Sequence, residues 1–392
     1  MNRLMTRHGP WNGSSRHRPP VRSALRLTIL EDRTVPSGTQ MFAVGAAPGG
    51  VPRVQVYMDN GAKIADFYAF DRSFTGGVHV AVGDVNGDGF DDLIVAAGAG
   101  GGPHVKVFKG GSNIGGTTTN EIDISAPLVS FYAFSAGFSG GVWVSSGDLN
   151  GDGFADVIVG AGVGGGPHVK LLAATHDGTT FTGLDVNNPL ASFYAFGANF
   201  TGGVRVAAAS GMFATAAGAG GGPHVKVFQT LSGGAFVAPN PDAPQSSFFA
   251  YSANFLGGVF VALGDVYGDG NIDVITGAGA GGGPDVRVFQ NTGGAKITAT
   301  PSSDFFAAPA TYTGGVDVGT VRVGSADRII TGLGPFDLKP AGTDNLALGA
   351  NGDGAPDRPE FETFDLSSGP GQMVYQSGDI NTLFYGGVFV GA

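Results

Sequence analysis

Residues 76–108 read GGVHVAVGDVNGDGFDDLIVAAGAGGGPHVKVF, and the same phrase returns along the whole 392-residue chain. Each copy runs from an aromatic cluster through Gly-Gly-Val, an acidic Gly-rich loop, an Ile/Val segment and a Gly run to Pro-His-Val-Lys-Val-Phe or a close variant. Gly-Gly-Val begins at Gly76, Gly140, Gly202, Gly257, Gly314 and Gly386, at spacings of 64, 62, 55, 57 and 72 residues. The second half is marked by Pro52, Pro103, Pro167, Pro223 and Pro284, with a weaker sixth copy near Pro359. This period is far from that of a nonapeptide β-roll and exceeds the roughly 40–45 residues of WD-type blades.

Inside one copy Val78, Val80 and Val82 alternate with period two, Leu93 to Val95 forms a short apolar run, Val105 and Val107 alternate again, and Phe131 to Phe134 lead into the next copy. Nothing repeats with helical period, and Gly-rich turns separate the runs, so the copy reads as four short antiparallel strands. A four-stranded meander cannot bury both of its faces alone. Stacked radially, each sheet packs against two neighbours, which is the economy of a β-propeller. The sequence enters at Met41 to Tyr57 with the second half of a phrase and stops at Phe384 to Ala392 inside the first half. The expectation is therefore all-β: one β-propeller over residues 41–392, with six four-stranded blades closed by pairing of the first and last strands, behind a basic flexible leader at 1–40.

Composition narrows the function classes. Gly makes up 71 of the 392 residues without a strict three-residue period, and 42% of residues are apolar, so neither a collagen helix nor a disordered tail fits. The absence of Cys excludes disulfides, thiolate zinc sites and a thiol nucleophile. No stretch approaches the ~18 consecutive apolar residues of a membrane-spanning helix. Residues 1–36 carry seven Arg against Glu31 and Asp32, a local charge of +5, so the remainder carries −16 of the net −11. An acidic body repels phosphate, and no basic stripe with aromatic platforms is present, so nucleic acid is not an expected partner. The leader lacks the apolar core of a secretory signal peptide. Its end, Leu30-Glu31-Asp32-Arg33-Thr34-Val35-Pro36-Ser37, resembles the short LExR-x-x-PS type segment that precedes repeat domains in some bacterial surface and secreted proteins.

The acidic loops carry the chemistry. After Gly-Gly-Val in the first full copy comes Asp84-Val85-Asn86-Gly87-Asp88-Gly89-Phe90-Asp91-Asp92. Oxygen donors stand at positions one, three, five and nine (Asp84, Asn86, Asp88, Asp92), the Phe90 carbonyl is available at seven, and Gly89 at six allows the sharp turn. The next copy repeats this as Asp148, Asn150, Asp152, Phe154 and Asp156. A third loop, with Asp265, Asp269, Asn271 and Asp273, has Tyr267 at position three and so lacks one ligand. The loops at Ser210 and at Ser325 to Asp327 have lost the pattern, and Asn351, Asp353 and Asp357 imitate it out of phase. Hard oxygen donors without His or Cys favour Ca²⁺ over zinc or copper, and their number favours Ca²⁺ over Mg²⁺. At ~4 Å and an effective dielectric of ~20, each like-charged carboxylate pair costs about 4 kcal/mol, which an ion removes. The competing reading is an Asp/Gly turn that needs no metal.

The aromatic-Gly-Gly-Val start, the Asp-x-Asn-x-Asp-Gly-x-x-Asp loop and the Ile-Val-x-Gly-Ala-Gly segment resemble FG-GAP repeats, also called VCBS-type repeats, of the integrin α-subunit propeller. The resemblance implies Ca²⁺ in the loops joining the two inner strands, held by Asp84, Asn86, Asp88, the Phe90 carbonyl and Asp92, and again by Asp148, Asn150, Asp152, the Phe154 carbonyl and Asp156. It also implies an extracellular or cell-surface adhesion or ligand-binding role. Gly-Ala-Gly in place of Gly-Ala-Pro, two blades without a loop site, and six blades where the integrin head has seven are departures.

Other candidates have simpler readings. His104, His168 and His224 share one repeat position, but a third strand lies on the order of 15 Å from a propeller axis, too far for a shared ion. The Gly runs, such as Gly100 to Gly102, lack the lysine and helix of a phosphate loop and read as tight turns. Phe67, Tyr68 and Phe70, with copies at Phe131, Phe193 and Phe248, read as packing between blades, with a sugar-stacking surface as the alternative. The expected function is a non-enzymatic, monomeric, calcium-stabilised propeller, exported or displayed, that binds a protein or glycan. The alternatives are a polysaccharide lyase or hydrolase using one propeller face, and a pure scaffold.

Overall fold

In the computed structural model the described residues are 40–112, 120–178, 180–293, 296–333, 361–366, 372–376 and 388–391. The leader with its sorting-type segment, Pro359 and the Asn351 to Asp357 loop lie outside them. Six four-stranded antiparallel sheets form the expected blades. Blade 1 consists of Val78–Gly83, Asp92–Ala97, His104–Phe108 and Val129–Tyr132, and blade 2 of Val142–Gly147, Asp156–Ala161, His168–Leu172 and Ala191–Tyr194. Blade 3 is Val204–Ala209, Met212–Ala217, His224–Gln229 and Ser246–Phe249; blade 4 is Val259–Gly264, Asp273–Ala278, Asp285–Phe289 and Ser303–Phe306. Blade 5 is Val316–Val323, Ala326–Leu333, Phe361–Asp365 and Gln372–Gln376. The closing blade takes Met41–Ala46, Arg53–Met58 and Lys63–Tyr68 from one end of the sequence and Val388–Gly391 from the other, with Val44 opposite Val390. No helix among the described residues is long and apolar enough to cross a membrane.

Packing follows from the alternation. Val78, Val80 and Val82 point into a buried cluster shared with Ala43, Val54 and Val56 of the closing blade, while Ala81, Ile94 and Val105 join Val142, Val144 and Val159 of blade 2. The second strand of blades 1 to 4 is buried throughout, and in blades 1 and 2 it reads as a largely continuous apolar run rather than an alternating one. Each fully buried Val, Ile, Leu or Phe contributes about 1.5–3 kcal/mol. The interface between blade 5 and the closing blade is built the same way, from Val321 and Ile330 against Phe42, Val44 and Tyr57.

The glycine runs do more than turn the chain. The Gly100 amide donates to the Ser139 carbonyl of the next blade, and Gly49, Gly164, Gly220 and Gly281 bond in the same way to Thr75, Thr201, Leu256 and Thr313. Five blade junctions are thus latched at this end by one backbone hydrogen bond each. The latch needs main chain packed on main chain, because a Cβ on Gly98 would stand 2.1 Å from the Gly76 carbonyl oxygen. The acidic loops lie at the opposite ends of the inner strands.

The repeated histidines are structural. His104, His168 and His224 pair through Nε2 with Ser130, Ser192 and Ser247 on the neighbouring strand at 2.8–2.9 Å. The adjacent Lys106 and Lys170 donate to the carbonyls of Ala69 and Ala133 in the preceding blade and lie 4.9 and 5.3 Å from the Phe70 and Phe134 rings. Phe67, Phe131 and Phe193 pack against the interblade clusters, and Phe248 is part of one. The half-exposed rings are one residue further along: Tyr132, Tyr194, Phe249 and, one blade on, Phe306.

Candidate functional site

The three acidic loops wrap in one way. In the first, Asp84 Oδ1 accepts the Gly87 amide at 2.7 Å and Oδ2 the Gly89 amide at 2.9 Å, so the chain curls around the position-one carboxylate. Asp148 repeats this with Gly151 and Gly153, at 2.7 and 3.0 Å. Asp265 accepts from Asp269 and Gly270 at 2.9 and 3.0 Å. The curl needs Gly89 and Gly153 at φ +88° and +89°, a region that costs L-residues roughly 1–2 kcal/mol. At position five, Asp88, Asp152 and Asp269 accept the amide two residues on, at Phe90, Phe154 and Asn271.

Position nine has a role that spacing along the chain did not reveal. Asp92, Asp156 and Asp273 are fully buried. Each receives a loop amide on one oxygen, from Val85, Leu149 and Val266 at 3.0–3.2 Å. The other oxygen receives an amide just beyond the third strand, from Gly110, Ala174 and Asn291 at 2.9–3.1 Å. The carboxylate therefore clamps the loop to the chain eighteen residues later. Burial, reinforced by the neighbouring carboxylates, pushes Asp92, Asp156 and Asp273 up to about 7. The loops are also laced together: Ala155 donates to the Asp84 carbonyl, Gly211 to that of Asp148 and Asp327 to that of Asp265. Gly87 lies beneath the Phe154 ring of the second loop, and that ring stacks on His176 with centroids 3.6 Å apart.

The loops differ in what neutralises them. Lys109 reaches Asp88 at 2.7 Å in the first. In the third, Arg322 of blade 5 stands 3.5 Å from Asp265 and 3.4 Å from Asp327. Tyr267 turns out to the Ser302 hydroxyl at 2.9 Å, so position three adds no donor there. Among the described residues no Lys or Arg pairs with Asp148, Asp152 or Asp156. The Asn86 side chain donates to Asp92 at 2.8 Å and accepts from the Asp88 amide at 3.0 Å. Among the described residues no three His, Asp or Glu side chains converge as a ready-made cation site; the carboxylates face loop amides instead. The donor set is all oxygen and fits a hard cation in kind.

A six-bladed β-propeller with acidic loops between its two inner strands is the class that this architecture defines. Residues 76–116 and 140–183, which span most of blades 1 and 2 with their loops, match the family model of the FG-GAP repeat. No curated protein matches it by sequence. Among solved structures it is similar to Sqt1 from Chaetomium thermophilum, at 12% identity over 86% of this chain and 67% of that one, with a TM-score of 0.39. It is similar to a Lactobacillus plantarum protein at 10% identity over 86% and 82%, with a TM-score of 0.41. A Bacillus licheniformis rhamnogalacturonan lyase aligns at 11% identity over 86% and 64%, with a TM-score of 0.27. At these values the likenesses carry nothing about function.

Proposed function

We propose that the chain is a non-enzymatic, calcium-stabilised propeller, exported or displayed at the cell surface, whose blade-connecting loops bind a protein or glycan. The observation that carries this reading is the recurrence of one complete oxygen-donor loop, wrapped identically, in two successive blades, each ending on a buried Asp. Calcium would be held by Asp84, Asn86, Asp88, the Phe90 carbonyl and Asp92, and by Asp148, Asn150, Asp152, the Phe154 carbonyl and Asp156. Asp265, Asp269, Asn271 and Asp273 form the weakest of the three sets, because Arg322 already supplies its positive charge. The ion would neutralise the crowded carboxylates and stiffen the loops at one end of the ring.

The test is thermal unfolding in 5 mM Ca²⁺ and in chelator, beside an Asp88→Ala, Asp152→Ala double variant. Short acidic loops of extracellular modules bind with Kd of roughly 10⁻⁴–10⁻³ M. Each site should then add about 1–2.3 kcal/mol at 5 mM ion. A rise in the parent alone supports the reading, and equal midpoints in all four conditions refute it. Lys109→Ala is expected to tighten the first site roughly two- to fivefold, the range of an exposed ion pair, and to leave the second unchanged. Calcium titration by calorimetry checks this. Glycan and protein arrays screened with Ca²⁺ address the ligand; turnover on a polysaccharide panel would instead make the protein an enzyme.

A further inference from the structure

At the glycine-latched end, blades 1, 2 and 3 share a group of side chains that the acidic loops do not involve. A half-exposed ring stands directly opposite a histidine across the two outer strands: Tyr132 opposite His104, Tyr194 opposite His168 and Phe249 opposite His224. The centroids of each pair are 5.0–5.1 Å apart. Each imidazole also meets an aromatic of the turn that leaves the preceding blade, Phe70, Phe134 or Phe196, at 5.1–5.4 Å, so the group sits in the groove between consecutive blades. The glycine run leaves the exposed rings bare. A Cβ at Gly102, Gly166 or Gly222 would stand 3.7, 3.2 or 3.2 Å from Tyr132, Tyr194 or Phe249.

The histidines are only half used. Nε2 bonds to an exposed serine of the outer strand, whereas Nδ1 reaches solvent and has no partner among the described residues. Burial, helped by the lysine two residues on, lowers all three imidazoles below their ordinary value. At neutral pH each therefore offers one donor and one acceptor nitrogen rather than a charge. Those lysines are committed: Lys106, Lys170 and Lys226 donate to the carbonyls of Ala69, Ala133 and Pro241. The glycine runs and blade-joining turns at this end, residues 98–103, 133–141, 162–167, 195–203, 218–223 and 250–258, contain no Asp, Glu, Lys or Arg. Two other outer rings are not built this way. Phe306 stands opposite Asp285, which pairs with Arg287 at 3.1 Å, and Tyr68 is covered by Arg72, 4.4 Å from its centroid.

We infer that these three grooves are equivalent binding sites for a neutral polysaccharide, each stacking one sugar on Tyr132, Tyr194 or Phe249 and offering the neighbouring imidazole Nδ1 to its hydroxyls. This rests on the glycan side of the function proposed above and names its chemistry. A pyranose has an apolar C–H face and a rim of hydroxyls, which a bare aromatic beside an uncharged hydrogen-bonding group can receive together. A protein partner of the usual kind needs a contiguous apolar patch, whereas these rings stand apart. Equivalent points in adjacent blades of a sixfold ring are as far from one another as from the axis, on the order of 20 Å for an outer strand. A repeating polymer matches repeated sites at that spacing, and one chain that reaches two grooves gains an avidity that a free sugar lacks. An acidic polysaccharide gains nothing here, because the lysines are already bonded and the net charge of −11 repels it.

Full-length protein in millimolar Ca²⁺ is run in native gels cast with hydroxyethyl cellulose, galactomannan or dextran, all neutral, or with polygalacturonate. At least one neutral polymer should retard it, with an apparent Kd roughly a hundredfold or more below that of the free monosaccharide used as competitor. Polygalacturonate should not. Tyr132→Ala, Tyr194→Ala and Phe249→Ala should each weaken retardation roughly two- to tenfold, and the triple variant should abolish it. Phe306→Ala removes a similarly exposed ring that lacks the imidazole and should change retardation by less than about twofold. A merely sticky rim would respond alike to all four single substitutions, and that result overturns the proposal even if the triple variant fails to fold. No retardation by any neutral polymer, or equal retardation by polygalacturonate, overturns it too. Thermal midpoints with and without Ca²⁺ keep this failure apart from that of the calcium reading. A triple variant that keeps the calcium-dependent rise and loses the polysaccharide supports binding at these grooves; one that keeps both shows that glycan binds elsewhere and that the grooves are not the site.

Discussion

Gly98→Ala is expected to destabilise the propeller by roughly 3 kcal/mol or more, at the upper end of what over-packing costs. The new Cβ would lie 2.1 Å from the Gly76 carbonyl oxygen and 3.0 Å from that of Gly77. Retreat is blocked, because the Gly98 amide donates to the Gly77 carbonyl at 2.9 Å, and two residues on Gly100 makes the latch to Ser139 at 2.7 Å. The mutated chain must therefore break the local turn or release blade 2. Gly137→Ala is the matched control: its φ is ordinary and nothing lies within 4 Å of its Cβ. There the loss of chain freedom in the unfolded state should leave stability unchanged or raise it by about 0.4–1 kcal/mol. Urea unfolding of both variants decides the matter. Equal midpoints would mean that the close approach at Gly98 is not holding the blades together.

Much of this was legible in sequence because a repeat displays its own periodicity. Val78, Val80 and Val82 alternate and Leu93 to Val95 run unbroken, and both read as strands, although the first proves buried on both faces like the second, with His79 and Ala81 covered as well. Closure was legible too, since each end of the sequence supplies half a phrase. The short hairpins Gly110–Ser112 with Asn120–Ile122 and Ala174–Asp177 with Thr180–Leu184 went unseen, because they vary from blade to blade and have no repeated signature. The acidic loops were found by spacing, yet spacing could not show that Asp92 also holds Gly110, or that Lys109 and Arg322 reach into the loops from other strands. The half-exposed rings went unassigned for another reason. Tyr132, Tyr194 and Phe249 each follow a packed Phe, and two adjacent aromatics in a strand face opposite sides without showing which side is covered.

Removing Val388 to Ala392 is expected to lower the unfolding midpoint by more than 10 °C and to expose an associating edge. Val388–Gly391 supply the innermost strand of the closing blade, pairing Ala43, Val44, Gly45 and Ala46 with Gly391, Val390, Phe389 and Val388. Without them Met41–Ala46 becomes an edge strand, although Phe42, Val44 and Ala46 are at most 1% exposed in the closed ring. Burial of three such side chains is worth about 1.5–3 kcal/mol for the larger ones, before the lost ladder bonds are counted. At ~2.1 cal/mol/K per residue a ring of about 350 residues shifts by roughly 1.4 °C per kcal/mol, so the larger side chains and the lost ladder bonds, together about 7 kcal/mol or more, reach the stated shift. Opening also changes the kind of cooperativity. In a closed ring every blade has two neighbours, whereas an open stack has two end blades that can fray separately, so the transition should broaden. An unpaired flat edge templates pairing with another chain, so gel filtration should show dimers or larger species that the parent lacks. Deleting Ala392 alone keeps Val388–Gly391 and serves as the control. A truncated chain that unfolds within 3 °C of that control and stays monomeric would show that the final strand is not what closes the ring.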